Sequence, residues 1–350
     1  MDIFINSAEA ITAQKTFDTE ELFSGITEPE NGYFVSQVPE YKKYINPRLL
    51  RRMSNLVRMG VACSLKVLET AGVKQPDAII TGTGLGCLTD TVKFLDNMIE
   101  ENETLLNPTA FIQSVHNTVS GQIALLLGCK NYNFTFSQQS VSFETALLDA
   151  VLKLSESGIN NVLLGGLDEI NDKTFNLLSR MGCVKKQDDD VFLSGTKGYI
   201  PGEGAAFFVL SNEKSDLSLA RISGSAMFET AEGTKLPDGL VKILEENGLV
   251  PDDIDLLISS YNGDATLKSE YNKINELLGN SNVAYFKHLT GEFDTASAVA
   301  MWLGVISLQK QSVHPALVIS GSGNNREIKN VLVHSYSKDH KHSFILISGC

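Results

Sequence analysis

The sequence lacks the features that mark several common classes of protein. Basic residues are outnumbered, with 29 Lys and Arg against 42 Asp and Glu, and the formal net charge of -13 argues against a surface for nucleic acid or an anionic membrane. The five cysteines form no CxxC pair and no metal-ligand spacing, which predicts free thiols. No apolar run approaches the roughly 18 residues of a membrane helix. With no secretory signal at its start, the chain is expected to be cytoplasmic and to contact neither membrane nor nucleic acid.

Cofactor and metal motifs are also scarce. Residues 82–86 read GTGLG, a spacing that does not fit the GxGxxG of dinucleotide sites, and no ribose-binding acid in a βαβ setting is evident. The run DHKH at residues 339–342 is only a weak candidate for metal binding. We therefore expect no cofactor and no metal ion.

What the sequence does contain is an alternation of apolar strands with helical patterns, which favours an α/β fold. The first 45 or so residues are expected to be irregular. Strands are predicted near residues 77–81, 132–136, 161–169, 204–210, 220–225, 255–260, 331–334 and 343–348. Helices are predicted near residues 46–71, after 107–111 with an end near 128, and at 143–154, 238–247, 268–278 and 295–311. The rhythm repeats after a polar stretch at 211–218, so we predict a duplicated fold with halves at residues 1–215 and 216–350.

Residues 132–154 have the layout of a nucleophile turn, in which an apolar strand leads through a tight polar turn into a helix. This geometry lifts one side chain above the sheet and aims helix amides at it, as an acyl nucleophile requires. The turn itself, residues 136–143, reads FSQQSVSF and contains no cysteine. The sequence thus predicts a nucleophile turn without a thiol nucleophile.

Several stretches resemble, in order, the β-ketoacyl synthases of the thiolase superfamily. The most specific is GYIPGEGAA at residues 198–206, which resembles the family motif DGFVxGEGAG. Further matches are VLLGGLDE at 162–169, LARISG at 219–224 and KHLTGEFDTAS at 287–297, the last resembling KSxxGHxxxAS. The resemblance runs from about residue 45 to 348 and implies a thiolase-like fold, a duplicated αβαβα layered architecture with two mixed five-stranded sheets.

The catalytic positions of that family are changed in this chain. Such synthases use one Cys, which takes the acyl chain, and two His, which drive decarboxylation and stabilise the oxyanion. The resemblance places Ser140, or Gln139 if the turn shifts by one residue, at the Cys position. Ser260, or Tyr261 if the strand slides by one, falls at the first His, and Glu292 at the second. Three changes together imply a subunit that does not condense acyl groups, so no catalytic residue is expected.

The substituted residues have simple structural explanations. Ser140 would need an adjacent base to act as a nucleophile, so we expect it to cap the helix that follows. Gln139 resembles the glutamine found near this site in chain length factors. The carboxylate of Glu292 would repel an oxyanion, and we expect a neighbour such as Lys287 to neutralise it.

Two further segments bear on the site. The FGGTN loop of the family has no counterpart here, since residues 337–342 read SKDHKH. Gly202, Glu203 and Gly204 are expected to be turn architecture, because glycine allows backbone angles that other residues resist.

The resemblance also implies a partner. Inactive subunits of this kind, known from aryl polyene, flexirubin and related type II fatty acid or polyketide pathways, pair with an active 3-oxoacyl-[acyl-carrier-protein] synthase across the strand before the turn. That strand comprises Asn133, Phe134, Thr135 and Phe136. We expect such a heterodimer, or a homodimer. The contact of this chain with acyl carrier protein is expected to be only indirect. Behind the turn, Phe143 and Ala146 are predicted to line a pocket that bounds the acyl chain.

Two alternatives remain at this point. The chain could be an active synthase or acyltransferase with a relocated nucleophile, for which Cys87 and Cys129 are the only cysteines in plausible range. It could also be a homodimeric regulator that binds acyl groups or carrier protein.

Overall fold

The computed structural model describes residues 2–104, 106, 108–186, 191, 195–230, 237–279, 281–320 and 327–350 of the chain. The strands in these ranges are β1 Ile3–Ile11, β2 Ala78–Gly82, β3 Tyr132–Phe136, β4 Asn161–Asp168, β5 Gly204–Ser211, β6 Ala220–Glu229, β7 Leu256–Ser259, β8 Asn282–Tyr285, β9 Val318–Ser320, β10 Asn330–Tyr336 and β11 Lys341–Ser348. The helices are α1 Pro47–Leu50, α2 Asn55–Thr70, α3 Leu88–Glu100, α4 Pro108–Ser114, α5 Thr118–Leu127, α6 Ser142–Leu154, α7 Asp172–Arg180, α8 Pro237–Glu246, α9 Lys268–Leu277, α10 Lys287–Thr290 and α11 Ala296–Lys310. No helix in the described ranges is long and apolar enough to cross a membrane.

The sheet repeats one strand order twice. Its first five strands run β3-β2-β4-β5-β1, and the second half runs β8-β7-β10-β11-β6, with the same sequence of parallel and antiparallel neighbours. The chain passes from one set to the other between Ser211 and Ala220. The predicted α/β thiolase-like architecture is confirmed. The two predicted five-stranded sheets are joined, because β1 pairs with β6 at Ile3↔Ile222, and β9 extends the result to eleven strands.

Two central helices lie between the layers of the fold. Helix α11 is apolar on all sides, and twelve of its fifteen residues are buried, as expected of a helix surrounded by protein. It packs against β4, β5, β10 and α6. Helix α6 packs in turn on β2 and β4, while α2 covers the opposite face of β5 and β1. The first turns of α6 and α11 therefore meet near the middle of the molecule.

The start of the chain differs from the prediction of an irregular segment. Strand β1 lies in the middle of the sheet, between β5 and β6. Its apolar alternation is interrupted by a register shift between Ile5 and Ser7 and by Glu9, whose burial raises the carboxyl pKa to about 7. The helix predicted to end near Gly128 is divided into α4 and α5, the second ending at this glycine in the left-handed conformation, φ 61°.

Candidate functional site

A cavity of about 340 Å³ lies where the two halves meet. Its wall comes from the turn before α6, the segment after β4, the segment after β7, the α10–α11 segment and the β10–β11 hairpin. The predicted nucleophile turn and the second-half segments are thus brought to one place, although up to 200 residues separate them in sequence. This cavity is the candidate site.

The turn between β3 and α6 is held by Ser142. The Ser142 hydroxyl accepts from the Gln138 amide at 2.8 Å and donates to the Gln139 carbonyl at 2.7 Å. Gln139 forms the tip of the turn with φ 53°, a left-handed angle that is uncommon outside glycine. Gln139 and Ser140 both line the cavity.

The prediction that Ser140 caps the following helix is wrong. Its buried hydroxyl has no hydrogen-bond partner among the described residues, and α6 has no side-chain cap. The hydroxyl that bonds to the backbone of the turn is that of Ser142, two residues later. A single-turn 3₁₀ segment, Gln139–Val141, lies between the end of the turn and α6. Because of this extra turn, the side chain that reaches the Gln138 amide is that of Ser142 and not that of Ser140.

The second half contributes Asn262 to the cavity, in place of the two residues predicted there. Ser260 is buried beneath the wall and accepts a hydrogen bond from the Ser335 hydroxyl at 2.8 Å. Tyr261 packs among aromatic rings, with Tyr271 at 5.3 Å between centroids. Neither lines the cavity, whereas Asn262 does. Asn262 was not predicted from the sequence. Gly263 follows it, and aligning this Asn-Gly pair with the His-Gly pair of the family motif, instead of aligning the strand, would have placed Asn262 at the first His position.

Glu292 lies in the cavity wall within a paired polar network. Its Oε1 accepts from Lys287 Nζ at 2.6 Å and its Oε2 from Asn262 Nδ2 at 2.5 Å. The predicted neutralisation of Glu292 by Lys287 is therefore present. Both side chains are largely buried, which strengthens their attraction relative to a surface pair.

Two aspartates lie near this network. The carboxylate of Asp168, at the end of β4, accepts from the backbone and hydroxyl of Thr295, at 2.9 and 2.8 Å, and from Thr83 and Gly84. Burial raises the pKa of Asp294 to about 7, and the charges of Asp168 and Glu292 act in the same direction. Asp168 thus fixes the start of α11, while Asp294 changes charge near neutral pH.

The glycine-flanked turn before β5 holds the Glu292 loop in place. The Gly202 amide donates to the Glu292 carbonyl at 3.0 Å, and a Cβ on Gly202 would lie 2.1 Å from the Thr290 carbonyl oxygen. Glu203 is buried, and its carboxylate accepts from the Ser36 amide and hydroxyl, at 3.0 and 2.7 Å. Gly204 begins β5. These contacts support the architectural role predicted for the turn. The reason differs from the predicted one, because Gly202 and Gly204 do not have a positive φ and Gly202 is required by the close approach of the Thr290 carbonyl.

Phe143 and Ala146, predicted to line a pocket, lie elsewhere. Both are fully buried in the main apolar core, and neither lines the cavity. The ring of Phe143 packs on Phe208 at 6.0 Å between centroids and faces Gly166. They point from α6 toward the sheet, while the cavity lies beyond the start of that helix.

The described cavity wall contains neither cysteine nor histidine. Cys87 and Cys129 are buried away from it, and burial raises the pKa of the Cys87 thiol to about 12. His342, in the predicted DHKH run, turns into the sheet and lies 3.2 Å from His334. In the ranges that the structure describes, no group of three or more His, Cys, Asp or Glu side chains is placed to hold a metal ion.

The predicted pairing strand β3 lies at one edge of the sheet. It pairs with β2 in parallel register, and no other described strand pairs with its outer side. Phe134 is 48% exposed on this strand, and its ring lies 4.8 Å from that of Phe136. Other exposed apolar side chains on the nearby helices α3, α4 and α5 are Leu95, Ile99, Phe111, Ile112 and Leu125. An apolar edge of this kind is a template for pairing with another chain.

Sequence comparisons identify a family over part of the chain. Residues 29–183 match the family described as Beta-ketoacyl synthase, N-terminal domain. A chloroplastic 3-oxoacyl-[acyl-carrier-protein] synthase I from Arabidopsis thaliana is 20% identical over 263 residues, covering 67% of this chain and 55% of that protein. The barley protein of the same name, from Hordeum vulgare, is 20% identical over 78% of this chain and 67% of its own length. The chain thus spans little more than half of the Arabidopsis relative.

Solved structures share the fold over the whole chain. The ishigamide ketosynthase/chain length factor matches with a TM-score of 0.79 at 18% identity, covering 100% of this chain and 99% of that one. The ketosynthase ApeO in complex with its chain length factor ApeC, from Xenorhabdus doucetiae, matches with a TM-score of 0.78 at 14% identity, covering 100% and 98%. Residues 29–183 therefore match the N-terminal domain of the beta-ketoacyl synthases, and the chain as a whole has the ketosynthase fold.

Proposed function

We propose that this chain is a non-condensing, chain-length-factor-like subunit that pairs with an active 3-oxoacyl-[acyl-carrier-protein] synthase. The observation that carries the proposal is the content of the cavity. Gln139, Asn262 and Glu292 surround the place where a condensing enzyme needs a thiol and two imidazoles. We assign Gln139, rather than Ser140, to the nucleophile position, because Gln139 forms the tip of the turn with its positive φ.

None of these groups supplies the chemistry of condensation. A glutamine amide is not an acyl nucleophile, and the described part of the cavity wall gives Ser140 no histidine to take its proton. The carboxylate of Glu292 is engaged by Lys287 and Asn262, and its charge opposes a developing oxyanion. Bond formation is therefore assigned to the partner subunit.

Pairing is assigned to the outer edge of β3. The open edge and exposed apolar surface support an interface there, with Asn133 to Phe136 lying antiparallel to the same strand of an active synthase or of a second copy. The net charge of -13 favours a partner that provides the main contact with an acidic carrier protein. We place this complex in the cytoplasm, in an aryl polyene, flexirubin or related type II fatty acid or polyketide pathway.

A further solved structure with the same fold is consistent with the proposal. One matching structure is a type II polyketide acyl-carrier protein in complex with its ketosynthase bound to the hexaketide, with a TM-score of 0.72 at 17% identity, covering 100% of this chain and 99% of that one. The rival proposal, an active synthase with a relocated cysteine, is weakened because Cys87 and Cys129 are buried outside the cavity.

The test is co-expression with an active Cys-His-His synthase from the same organism, followed by native mass spectrometry and a condensation assay. We expect a one-to-one heterodimer that condenses acyl groups and an isolated chain that does not. A complex whose activity survives replacement of the synthase cysteine by alanine would contradict the proposal, because the activity would then reside in this chain.

A further inference from the structure

Helix α7 closes one side of the cavity. Thr174 and Leu178, one helical turn apart, line the cavity, while Lys173, Leu177 and Arg180 on the same helix are exposed. None of the nine residues of α7 is buried. A single helix therefore separates this part of the cavity from solvent.

Helix α7 makes few contacts with the rest of the fold. No other described helix or strand packs closely along it. The ion pair between Lys173 and Asp96, at 2.5 Å, is exposed on both sides, and pairs of this kind contribute little to stability. Segments that bury few apolar groups open locally at low cost in free energy. We therefore expect α7 to separate from the fold more readily than the central helices do.

Both ends of α7 are capped from within the helix and its immediate flanks. The Asn171 side chain accepts from the Thr174 amide at 3.0 Å. At the other end Gly182 has φ 69°, and the Cys183 amide donates to the Leu178 carbonyl at 3.0 Å, which is the pattern of a Schellman motif. Because these caps do not come from other elements, α7 can move outward as one body and keep them.

Tyr33, from the segment between β1 and α1, connects α7 to the rest of the fold. Its hydroxyl donates to Asp172 Oδ1 at 2.7 Å, and its ring lies 5.1 Å from that of Phe175. Burial and the Asp172 carboxylate raise the pKa of Tyr33 to about 12, so the hydroxyl remains a donor at neutral pH. One buried side chain thus holds the first turns of α7 by a polar and an aromatic contact.

We propose that α7 is a lid on the cavity and that Tyr33 is the latch that holds it closed. When the hydrogen bond between Tyr33 and Asp172 breaks, the helix moves outward and the cavity opens to solvent beside Thr174 and Leu178. Such a lid sets how fast a molecule enters or leaves the cavity. This role does not depend on whether the cavity receives acyl groups, so it goes beyond the proposed function.

Hydrogen exchange of the full-length chain, measured by mass spectrometry, tests the latch. Amides of α7 should exchange faster than those of α6 and α11, whose side chains are largely buried. Tyr33→Phe keeps the ring and removes the hydroxyl. We expect exchange in α7 to become about tenfold faster in this variant, the effect of losing a hydrogen bond to a charged acceptor, and exchange in α6 and α11 to stay the same.

Tyr44→Phe is the matched control for that variant. The Tyr44 hydroxyl also donates to an aspartate, Asp18, and the ring packs on Phe17 at 5.2 Å between centroids. Neither of these contacts involves α7. Exchange in α7 should therefore stay within about twofold of wild type.

Access to the cavity is measured with a thiol introduced by Ala296→Cys. Ala296 lines the cavity and is 1% exposed. Alkylation at this position by iodoacetamide, located by peptide mapping, should become about tenfold faster when Tyr33→Phe is added. Cys63 is fully buried and does not line the cavity, so it should stay unmodified unless the whole protein unfolds.

Several results would overturn the lid, and all of them would leave the non-condensing role intact. Exchange in α7 that Tyr33→Phe does not change, or that Tyr44→Phe accelerates equally, would show that Tyr33 is not the latch. Faster exchange in α7 without faster alkylation at position 296 would show that the helix frays without opening the cavity. A parallel rise in alkylation of Cys63 would show that the whole protein unfolds instead.

Discussion

The two halves repeat one strand order and end it differently. In the first half the edge strand β3 has its outer side uncovered by any described strand. In the second half the equivalent strand, β8, is covered by the antiparallel strand β9, with pairs at Val283↔Ser320 and Ala284↔Val318. The described sheet therefore ends in β3, with five residues, at one edge and in β9, with three, at the other. Very short edge strands resist pairing with another chain, so the β3 edge is the better template for association.

The same contrast appears at the cavity. The first half contributes Gln139 at the tip of an open turn and Ser140 with an unpartnered hydroxyl, counted over the described residues. The second half contributes Lys287, Asn262 and Glu292, which bond to one another. We infer that the first half makes the contacts with partner and ligand. The polar side chains of the second half bond to one another and stabilise the fold.

The largest expected effect comes from Thr135→Pro on the open edge. The Phe136 carbonyl accepts from the Thr83 amide at 3.0 Å, so the amide of the preceding residue, Thr135, points to the free side of β3. Proline there removes a donor used only by a partner strand, and edge positions of this kind tolerate proline. We expect a folded protein that pairs neither with an active synthase nor with a second copy, as measured by light scattering after gel filtration.

Thr135→Val is the matched control for that variant. It removes the same hydroxyl, which lies 2.9 Å from both the Thr81 and Ser120 hydroxyls, but keeps the amide. This variant should remain a dimer. A folded, dimeric Thr135→Pro protein would place the interface elsewhere.

Breaking the closed network of the second half should give the next largest effect. Glu292→Ala leaves Lys287, whose side chain is 8% exposed, without its carboxylate, and loss of one member of a buried pair costs roughly 3–5 kcal/mol. Replacing both, as Lys287→Met with Glu292→Leu, should recover most of this loss in urea unfolding. Glu270→Ala, which breaks the more exposed pair with Lys273, should cost less than about 1 kcal/mol. Equal effects of Glu292→Ala and Glu270→Ala would show that the cavity pair is not desolvated.

Charge on the open edge should weaken pairing without unfolding the protein. Phe134→Lys places an ammonium group on the exposed part of β3, and we expect dimer affinity to fall about a hundredfold, or about 2.7 kcal/mol. Val250 is comparably exposed, at 57%, but lies in the second half, so Val250→Lys should leave affinity unchanged. Sedimentation equilibrium would measure both. Similar losses in the two variants would indicate a general charge effect.

The smallest expected effect concerns a buried acid beside the first-half site. Burial raises the pKa of Glu169 to about 7, and the charges of Glu203 and Asp90 add to the shift, while the Thr89 amide and hydroxyl oppose it. A carboxyl pKa that is higher in the folded than in the unfolded chain gives stability that is present at low pH and is lost as the pH rises from about 4.5 to 7. Glu169→Gln cannot ionise, so its stability relative to wild type should increase by about 2.5 kcal/mol between pH 5 and pH 8.

This difference is best followed by urea unfolding of the two proteins at each pH. Comparing them cancels the contribution of His334 and His342, whose lowered pKa values make stability rise with pH over an overlapping window. A constant difference across the range would mean that Glu169 ionises normally.

The sequence predicted the layout of the fold better than the content of the site. Apolar runs such as Asn161–Asp168 and Gly204–Ser211 identify buried strands because both faces of the sheet are covered. Strand β1 was missed because a register shift and the half-buried Glu9 disrupt its alternation. Hydrophobic periodicity predicts a strand where the burial of side chains follows a regular pattern. It fails to predict a strand where a β-bulge interrupts that pattern.

The site depended on details that spacing alone does not fix. A one- or two-residue slip at the end of β7 decides whether Ser260, Tyr261 or Asn262 enters the cavity. Phe143 and Ala146 follow the turn in sequence, but the rotation of α6 directs them into the core. The pairing of Lys287 with Glu292 was predictable, since both lie on one short segment around a single turn.

The central claim, that the turn performs no acyl transfer, is tested most directly by intact-mass analysis of the isolated chain after incubation with an acyl-carrier-protein thioester. Peptide mapping would then examine residues 136–143, and an active Cys-His-His synthase treated in parallel would show that the thioester is competent. We predict no acyl adduct on this peptide, because its tip is Gln139 and the described residues of the cavity wall include no histidine that could act as a base for Ser140. A stoichiometric acyl adduct on Ser140 would contradict the account.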